Sequence, residues 1–321
     1  MTEHATLATT ATTTQPTTTP VGPDVIAAGT EMDAVTLRVG DLDGMTAYYR
    51  DTLALQVLDT PAPADDVLGI PSSASVTLGR AGTPLVVLRH TPNLPVPGRG
   101  EAGLFHTAIL FDEEPALAAT VASIAMQATG TYTGSADHLV SKAFYFTDPE
   151  GNGIELYWDR SRDQWAWENG FVKMDSLRLD PNEYLREHVT DQVLAEVGAK
   201  PAAVGHVHLQ VGDVEGAQRF YVDTLGFEVT ATWPGALFVS AGGYHHHLAM
   251  NTWNSRGAGP RASSLGLGEV SIVVPTADDV AALTSRLTHA GVAVTDDGAA
   301  LRFQDPWRNL LKVTAEGTTA A

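Results

Sequence analysis

The chain of 321 residues has no cysteine, few cations and no long apolar run. Lack of cysteine excludes disulfides and thiolate metal sites, so any bound metal must be held by nitrogen and oxygen. Nineteen Lys and Arg stand against 38 Asp and Glu, a formal net charge of -19. Nucleic acid and anionic membranes are bound through clustered cations, so this balance argues against both and suits a small neutral ligand. No apolar stretch approaches the roughly 20 residues that span a bilayer. The first thirty residues are rich in Thr, Ala and Pro, with neither a basic start nor an apolar centre. They read as a flexible tail, not an export signal, and a cytoplasmic location is the expectation.

What the chain does contain is a repeat. Ala34–Leu55 reads AVTLRVGDLDGMTAYYRDTLAL and His206–Phe227 reads HVHLQVGDVEGAQRFYVDTLGF. Each is an alternating strand, a Gly-Asp turn, and a helix ending in an aromatic pair and Leu. Weaker copies begin at His106 (HTAILF) and Glu269 (EVSIVV), and short strands follow every helix. The pattern predicts an α+β chain of four βαβββ modules. The boundaries expected are a tail over 1–30, a first domain of two modules over 31–158, a linker with a helix over 159–203, a second domain of two modules over 204–315, and a short tail over 316–321. The linker carries Trp165, Trp167 and Phe171, and its helix is predicted over 181–198. Tyr48, Tyr49, Phe220 and Tyr221 fall where a helix packs on a sheet and read as core.

Asp137–Trp158, DHLVSKAFYFTDPEGNGIELYW, is the densest stretch. Lys142–Thr147 and Gly153–Trp158 read as strands of a hairpin around the turn Asp148-Pro149-Glu150-Gly151-Asn152. Alternation puts Glu155 and Tyr157 on one face and Ile154 and Leu156 on the other. A lone strand glutamate is ordinarily solvated; its company changes the reading. His138, Phe144, Tyr145, Asp148, Pro149, Gly151 and Glu155 fall at the spacings of a known signature, with Ala136 departing from it. The segment resembles the type I extradiol dioxygenases of the vicinal oxygen chelate superfamily.

The resemblance implies a glyoxalase-like fold, four βαβββ modules paired into two cupped mixed sheets, with a metal in one cup. Aligned position by position, modules one to four begin with Ala34, His106, His206 and Glu269. Glu155 of module two corresponds to Lys312 of module four, His138 to Thr295, and Tyr145 to Arg302. His246 of module three corresponds to Leu85 of module one. Modules two and three therefore hold nearly all the candidate groups. The resemblance assigns His106, His206 and Glu155 as a 2-His-1-carboxylate triad, which suits non-haem Fe(II), with Mn(II) also compatible. It gives His246 the acid–base role, and gives His138 and Tyr145 hydrogen bonds to the substrate. His208, His245 and Asn251 are expected to contact substrate, and Trp253 could line the pocket. His208, two residues after His206, is also a competitor for the metal. The implied reaction is cleavage of a catechol by O2 beside its hydroxyls, in aromatic compound degradation, by a homo-oligomer. A metal-dependent isomerase or lyase of the glyoxalase type, or a metal-free binding protein of the same fold, are the other readings. Only a cup joining modules two and three collects both histidines and the glutamate: modules three and four would offer Lys312, which has no lone pair to give a cation, and modules one and two would offer Ala34 and fall one ligand short. That cup could form within one chain or between two.

Overall fold

The computed structural model describes residues 25–60, 68–127 and 131–318. The tail expected over 1–30 lies outside the described residues as far as residue 24. Module one comprises β1 (Val35–Val39), α1 (Leu42–Ala47), β2 (Gln56–Leu58), β3 (Ser75–Arg80) and β4 (Thr83–His90). Module two comprises β5 (Gly103–Phe111), α2 (Glu114–Gln127), β6 (Tyr132–Asp137), β7 (Ser141–Thr147) and β8 (Gly153–Asp159). Between the halves lie α3 (Pro181–His188) and α4 (Asp191–Ala195). Module three comprises β9 (Ala202–Gln210), α5 (Val214–Ala217), β10 (Glu228–Trp233), β11 (Ala236–Ser240) and β12 (Leu248–Asn251). Module four comprises β13 (Gly266–Val274), α6 (Ala277–His289), β14 (Val294–Asp296), β15 (Leu301–Gln304) and β16 (Leu310–Ala315). The fold is α+β, with two curled mixed sheets. Among the described residues no helix is long and apolar enough to cross a membrane.

Each sheet draws on both halves of the chain. One runs β14-β15-β16-β13-β1-β4-β3-β2, joining modules four and one, with the short strand Glu31–Met32 also on β13. The other runs β6-β7-β8-β5-β9-β12-β11-β10, joining modules two and three, with Leu177–Arg178 added beside β6. At the centre of the second sheet β5 and β9 pair antiparallel, each flanked by a parallel strand of its own module. Modules two and three thus meet within one chain.

The repeated Gly-Asp turn has a local cause. Asp41 caps α1 by accepting from Gly44 N at 3.0 Å, and Asp213 caps α5 by accepting from Gly216 N at 2.5 Å. An aspartate at this position satisfies an amide the first turn leaves open. The predicted linker helix is corrected to two: Val189 and Thr190 are extended, and the Thr190 hydroxyl accepts from Val193 N to start α4. Capping a new helix competes with continuing the old one.

The Asp-Pro turn of the signature is structural. Asp148 accepts from Asn152 N and Nδ2 at 2.8 Å each and from the Tyr49 hydroxyl at 3.0 Å. Module four repeats this: Asp305 accepts from Asn309 N and Nδ2 at 2.8 Å each and from Tyr221 at 2.9 Å. Tyr49 and Tyr221 are buried as expected, and each also ties its helix to a turn of the next module.

Candidate metal centre

Strand alternation sorts β5 and β8 into two faces. Ile109, Phe111, Ile154 and Leu156 join the main core, whereas Ala108 and Tyr157 form a small cluster on the opposite side, where His106 and Glu155 also point. A register shift between Val204 and His206 sets the third residue of the group. Gly205 permits it: a Cβ there would lie 1.7 Å from the Tyr157 hydroxyl oxygen.

His106, Glu155 and His206 converge. Glu155 Oε2 lies 2.9 Å from His106 Nε2 and 3.1 Å from His206 Nε2, and the side chains are at most 7% exposed. The donor set suits a divalent ion: two imidazole nitrogens and one carboxylate oxygen, with ligand atoms within 4.8 Å of one another. The buried His106 Nε2 has no hydrogen-bond partner despite its nearness to Oε2. With a lone pair on that nitrogen, the closeness to the carboxylate is repulsive unless a cation lies between them. Ligands on adjacent corners of an ion, each about 2.1 Å from it, lie about 3 Å apart, which matches. The residues fit a metal.

The charge states also fit. Burial pushes the His206 imidazolium down to about 4, against partial support from Glu155. Burial alone would raise the Glu155 carboxyl, but His206 and His106 overcome it and hold the group well below the usual carboxylate range. A neutral imidazole and an ionised carboxylate are the forms that ligate.

His208 leaves the competition. Asn251 uses Oδ1 to accept from Trp253 N, so its Nδ2 donates to His208 Nε2 at 2.9 Å. The lone pair that could have reached the metal is engaged, while the His208 ring remains in the cavity wall.

The group opens into a cavity of about 460 Å³. Phe105, Trp233, Phe238 and Trp253 supply aromatic walls, and Met174 and Ser176 close one side from the linker. Tyr145, His138 and His246 also line it. His246 packs on His206, with ring centroids 4.1 Å apart.

Three of the residues expected to contact substrate have their polar atoms engaged by other groups in the structure. His138 has no ring nitrogen left for a substrate: Nδ1 is 2.7 Å from the Asp175 carbonyl oxygen and Nε2 is 2.7 Å from the Tyr145 hydroxyl. The carbonyl only accepts, so Nδ1 donates, and a neutral ring then accepts at Nε2 from Tyr145. Tyr145 is a secure donor, because burial, reinforced by Glu155, pushes its phenol well above the usual value. His245 and Asn251 lie behind the cavity wall, not in it. His245 is 1% exposed and bonded to Asp159 and His246, and Asn251 holds His208. His246, the neighbour of His245, lines the space instead. His247 serves the turn, accepting at Nδ1 from Ala241 N.

Several walls were not legible in advance. Trp233, Phe238 and Phe105 sit in ordinary apolar strands, and Met174 and the Asp175 carbonyl lie in the linker. A backbone carbonyl leaves no mark in the residue type. In the other sheet Glu269, the counterpart of His106, is engaged at 3.0 Å by Arg302, the counterpart of Tyr145, which also contacts Asp297 at 2.7 Å.

A pH dependence follows from burial. His206, His208, His246 and His247 all have their imidazolium forms depressed, first by burial, and His247 reaches about 3. Below the ordinary value of 6.5 the unfolded chain takes up protons that the folded rings refuse. Stability of chelator-treated protein is expected to fall as pH drops from 6.5 towards 4. Each such histidine contributes up to about 1.4 kcal/mol per pH unit. Thermal melts between pH 7.5 and 4.5 check this; a constant melting temperature across that range would contradict the buried neutral rings.

A family model described as the Glyoxalase/Bleomycin resistance protein/Dioxygenase superfamily matches residues 31–156 and 203–313. A catechol-2,3-dioxygenase of Bacillus subtilis (strain 168) is 37% identical over 227 residues, covering 69% of this chain and 78% of that protein. A solved structure of a candidate dioxygenase from Bacillus subtilis subsp. subtilis str. 168 aligns with a TM-score of 0.63 at 14% identity, over 91% of this chain and 86% of that one. Glyoxalase I from Zea mays aligns with a TM-score of 0.54 at 17% identity, over 89% and 92%. At such identities the two solved structures establish a shared fold.

Proposed function

The chain belongs to the Glyoxalase/Bleomycin resistance protein/Dioxygenase superfamily, and from that membership we propose that it is a non-haem Fe(II) extradiol dioxygenase, cleaving a catechol beside its hydroxyls with O2. The observation that carries the reading is the convergence of His106, His206 and Glu155 beneath an aromatic cavity with His246 alongside. Those three residues would hold the metal, Fe(II) or in its place Mn(II), which when bound supplies the electron path between catechol and O2.

The protein's own groups do the rest. His246 takes the proton of a substrate hydroxyl, a role that ordinarily contributes 10²–10⁴-fold. Tyr145 gives its proton to His138 and so presents an oxygen that accepts from the substrate; His138 orients it. Phe105, Trp233, Phe238 and Trp253 give the ring aromatic surface to pack against.

The walls also select. Among the described residues, Lys, Arg and Asp are absent from the lining, and its one carboxylate, Glu155, is held by the histidines. A carboxylate or ammonium on the substrate would be buried without a partner, at a cost of several kcal/mol. An apolar cavity of about 150 Å³ accommodates benzene, and this one measures about 460 Å³. These walls favour a catechol with a bulky uncharged substituent. Anaerobic loading with Fe(II), then 3-phenylcatechol, then air, should yield a yellow ring-cleavage product with matching O2 uptake. A dihydroxybenzoate should react at least about 100-fold less efficiently, the factor that corresponds to about 3 kcal/mol. Tight metal binding without O2 uptake would instead support an isomerase, and X-ray fluorescence of purified protein identifies the metal.

A further inference from the structure

Behind His246 lies a hydrogen-bonded chain that the reaction described above does not require. His246 Nδ1 is 2.8 Å from His245 Nδ1, and His245 Nε2 is 2.9 Å from Asp159 Oδ1. Tyr244 donates to Asp159 Oδ2 at 2.7 Å, and its hydroxyl is 2.7 Å from that of Tyr157. His245 and Tyr157 are fully buried, and the Trp165 ring packs against His245 with centroids 5.2 Å apart. The bonded groups come from two separate parts of the sequence, the end of β8 and the segment before β12, and the linker adds the packing of Trp165. Two adjacent imidazoles sharing a hydrogen bond through like nitrogens need opposite roles, one donating and one accepting. Nothing within the pair decides which.

Asp159 decides it. An ionised carboxylate only accepts, so His245 Nε2 carries the proton. A neutral ring has one N–H, so His245 Nδ1 is the acceptor. His246 Nδ1 is then the donor, and His246 Nε2 is left with its lone pair. His246 lines the cavity, so that lone pair is what the site offers a substrate. The nitrogen bonded behind a histidine determines what the other nitrogen can do.

We propose that Asp159 is a positioning residue that acts through His245 to hold His246 in the Nδ1–H tautomer, so that His246 meets its substrate as a base and not as an acid. The proposal rests on the catechol reading for its effect on turnover, but not for the tautomer itself. In the step concerned, a substrate O–H bond breaks, the proton goes to His246 Nε2, and the electron pair stays on the substrate oxygen. Tyr244 keeps the second carboxylate oxygen occupied, so that Oδ1 faces His245.

Nitrogen-15 spectra of histidine-labelled, chelator-treated full chain test the tautomer without any activity. The expected result is His246 protonated at Nδ1 and His245 at Nε2; the opposite pair of tautomers would overturn the proposal. In Asp159→Asn an amide can donate to His245 Nε2, which reverses both rings. That variant should retain metal content and KM for 3-phenylcatechol while kcat falls by about 10²-fold or more, the behaviour of a base held in the wrong tautomer. In a His246→Ala background the same change should have no further effect on kcat. An Asp159→Asn enzyme with unaltered kcat, or one that loses activity equally in both backgrounds, contradicts the assignment. If the unaltered protein cleaves no catechol, the dioxygenase reading fails, and the spectra still decide the tautomer.

Discussion

His206→Ala protein is expected to fold, to bind divalent metal more than about 100-fold less tightly, and to take up no O2 with 3-phenylcatechol. Loss of an outer partner of a metal ligand alone costs 10–100-fold, so loss of one of three ligands should exceed that. The same holds for His106→Ala and Glu155→Ala, because Oε2 of Glu155 is the atom both histidines approach. His208→Ala is the control. Its Nε2 accepts from Asn251, so its removal should leave metal content near that of the unaltered protein. Elemental analysis after dialysis against Fe(II), with an oxygen electrode, reads both outcomes. Full metal in His206→Ala together with loss in His208→Ala would move the ligand by two residues along β9.

The second large effect belongs to His246→Ala. Its metal content and affinity for catechol should be retained, because the side chain lies beside the ligand group and takes no part in it. Ring cleavage should slow by 10²–10⁴-fold, the usual loss when a general acid–base group is removed. Stopped-flow mixing of the anaerobic enzyme–catechol complex with O2 separates this step from binding. Unchanged turnover would remove His246 from the chemistry. The structure does not offer His245 or His247 as substitutes, since His245 is bonded to Asp159 and the Nδ1 of His247 to the Ala241 amide.

The two experiments bear on different parts of the reading. Loss of metal without loss of fold concerns the ligand group. Loss of turnover with metal in place concerns the groups around it. A protein that bound metal through the same residues but carried out an isomerisation would pass the first and fail the second with O2 as the readout.

The residues themselves determined the module and its use. Strand alternation, the Gly-Asp caps and the Asp-Pro turn are local, so they can be read from neighbours along the chain. Copies could be aligned, and a lysine at 312 opposite a glutamate at 155 ruled one cup out by charge alone. That elimination, together with Ala34 where a second histidine is needed in module one, pointed to modules two and three, which share a sheet in the structure. Pattern could not have done so, since all four opening strands alternate alike. Only the tertiary structure decided that β5 and β9 meet within one chain, because pairing depends on contacts a hundred residues apart in sequence. It also decided which histidine nitrogens remain free. His138 and His245 have the right residue type in the right stretch, yet a linker carbonyl and the Asp159 carboxylate engage them. A histidine's chemistry is set by what its second nitrogen touches, and that partner comes from a distant segment brought close only by folding.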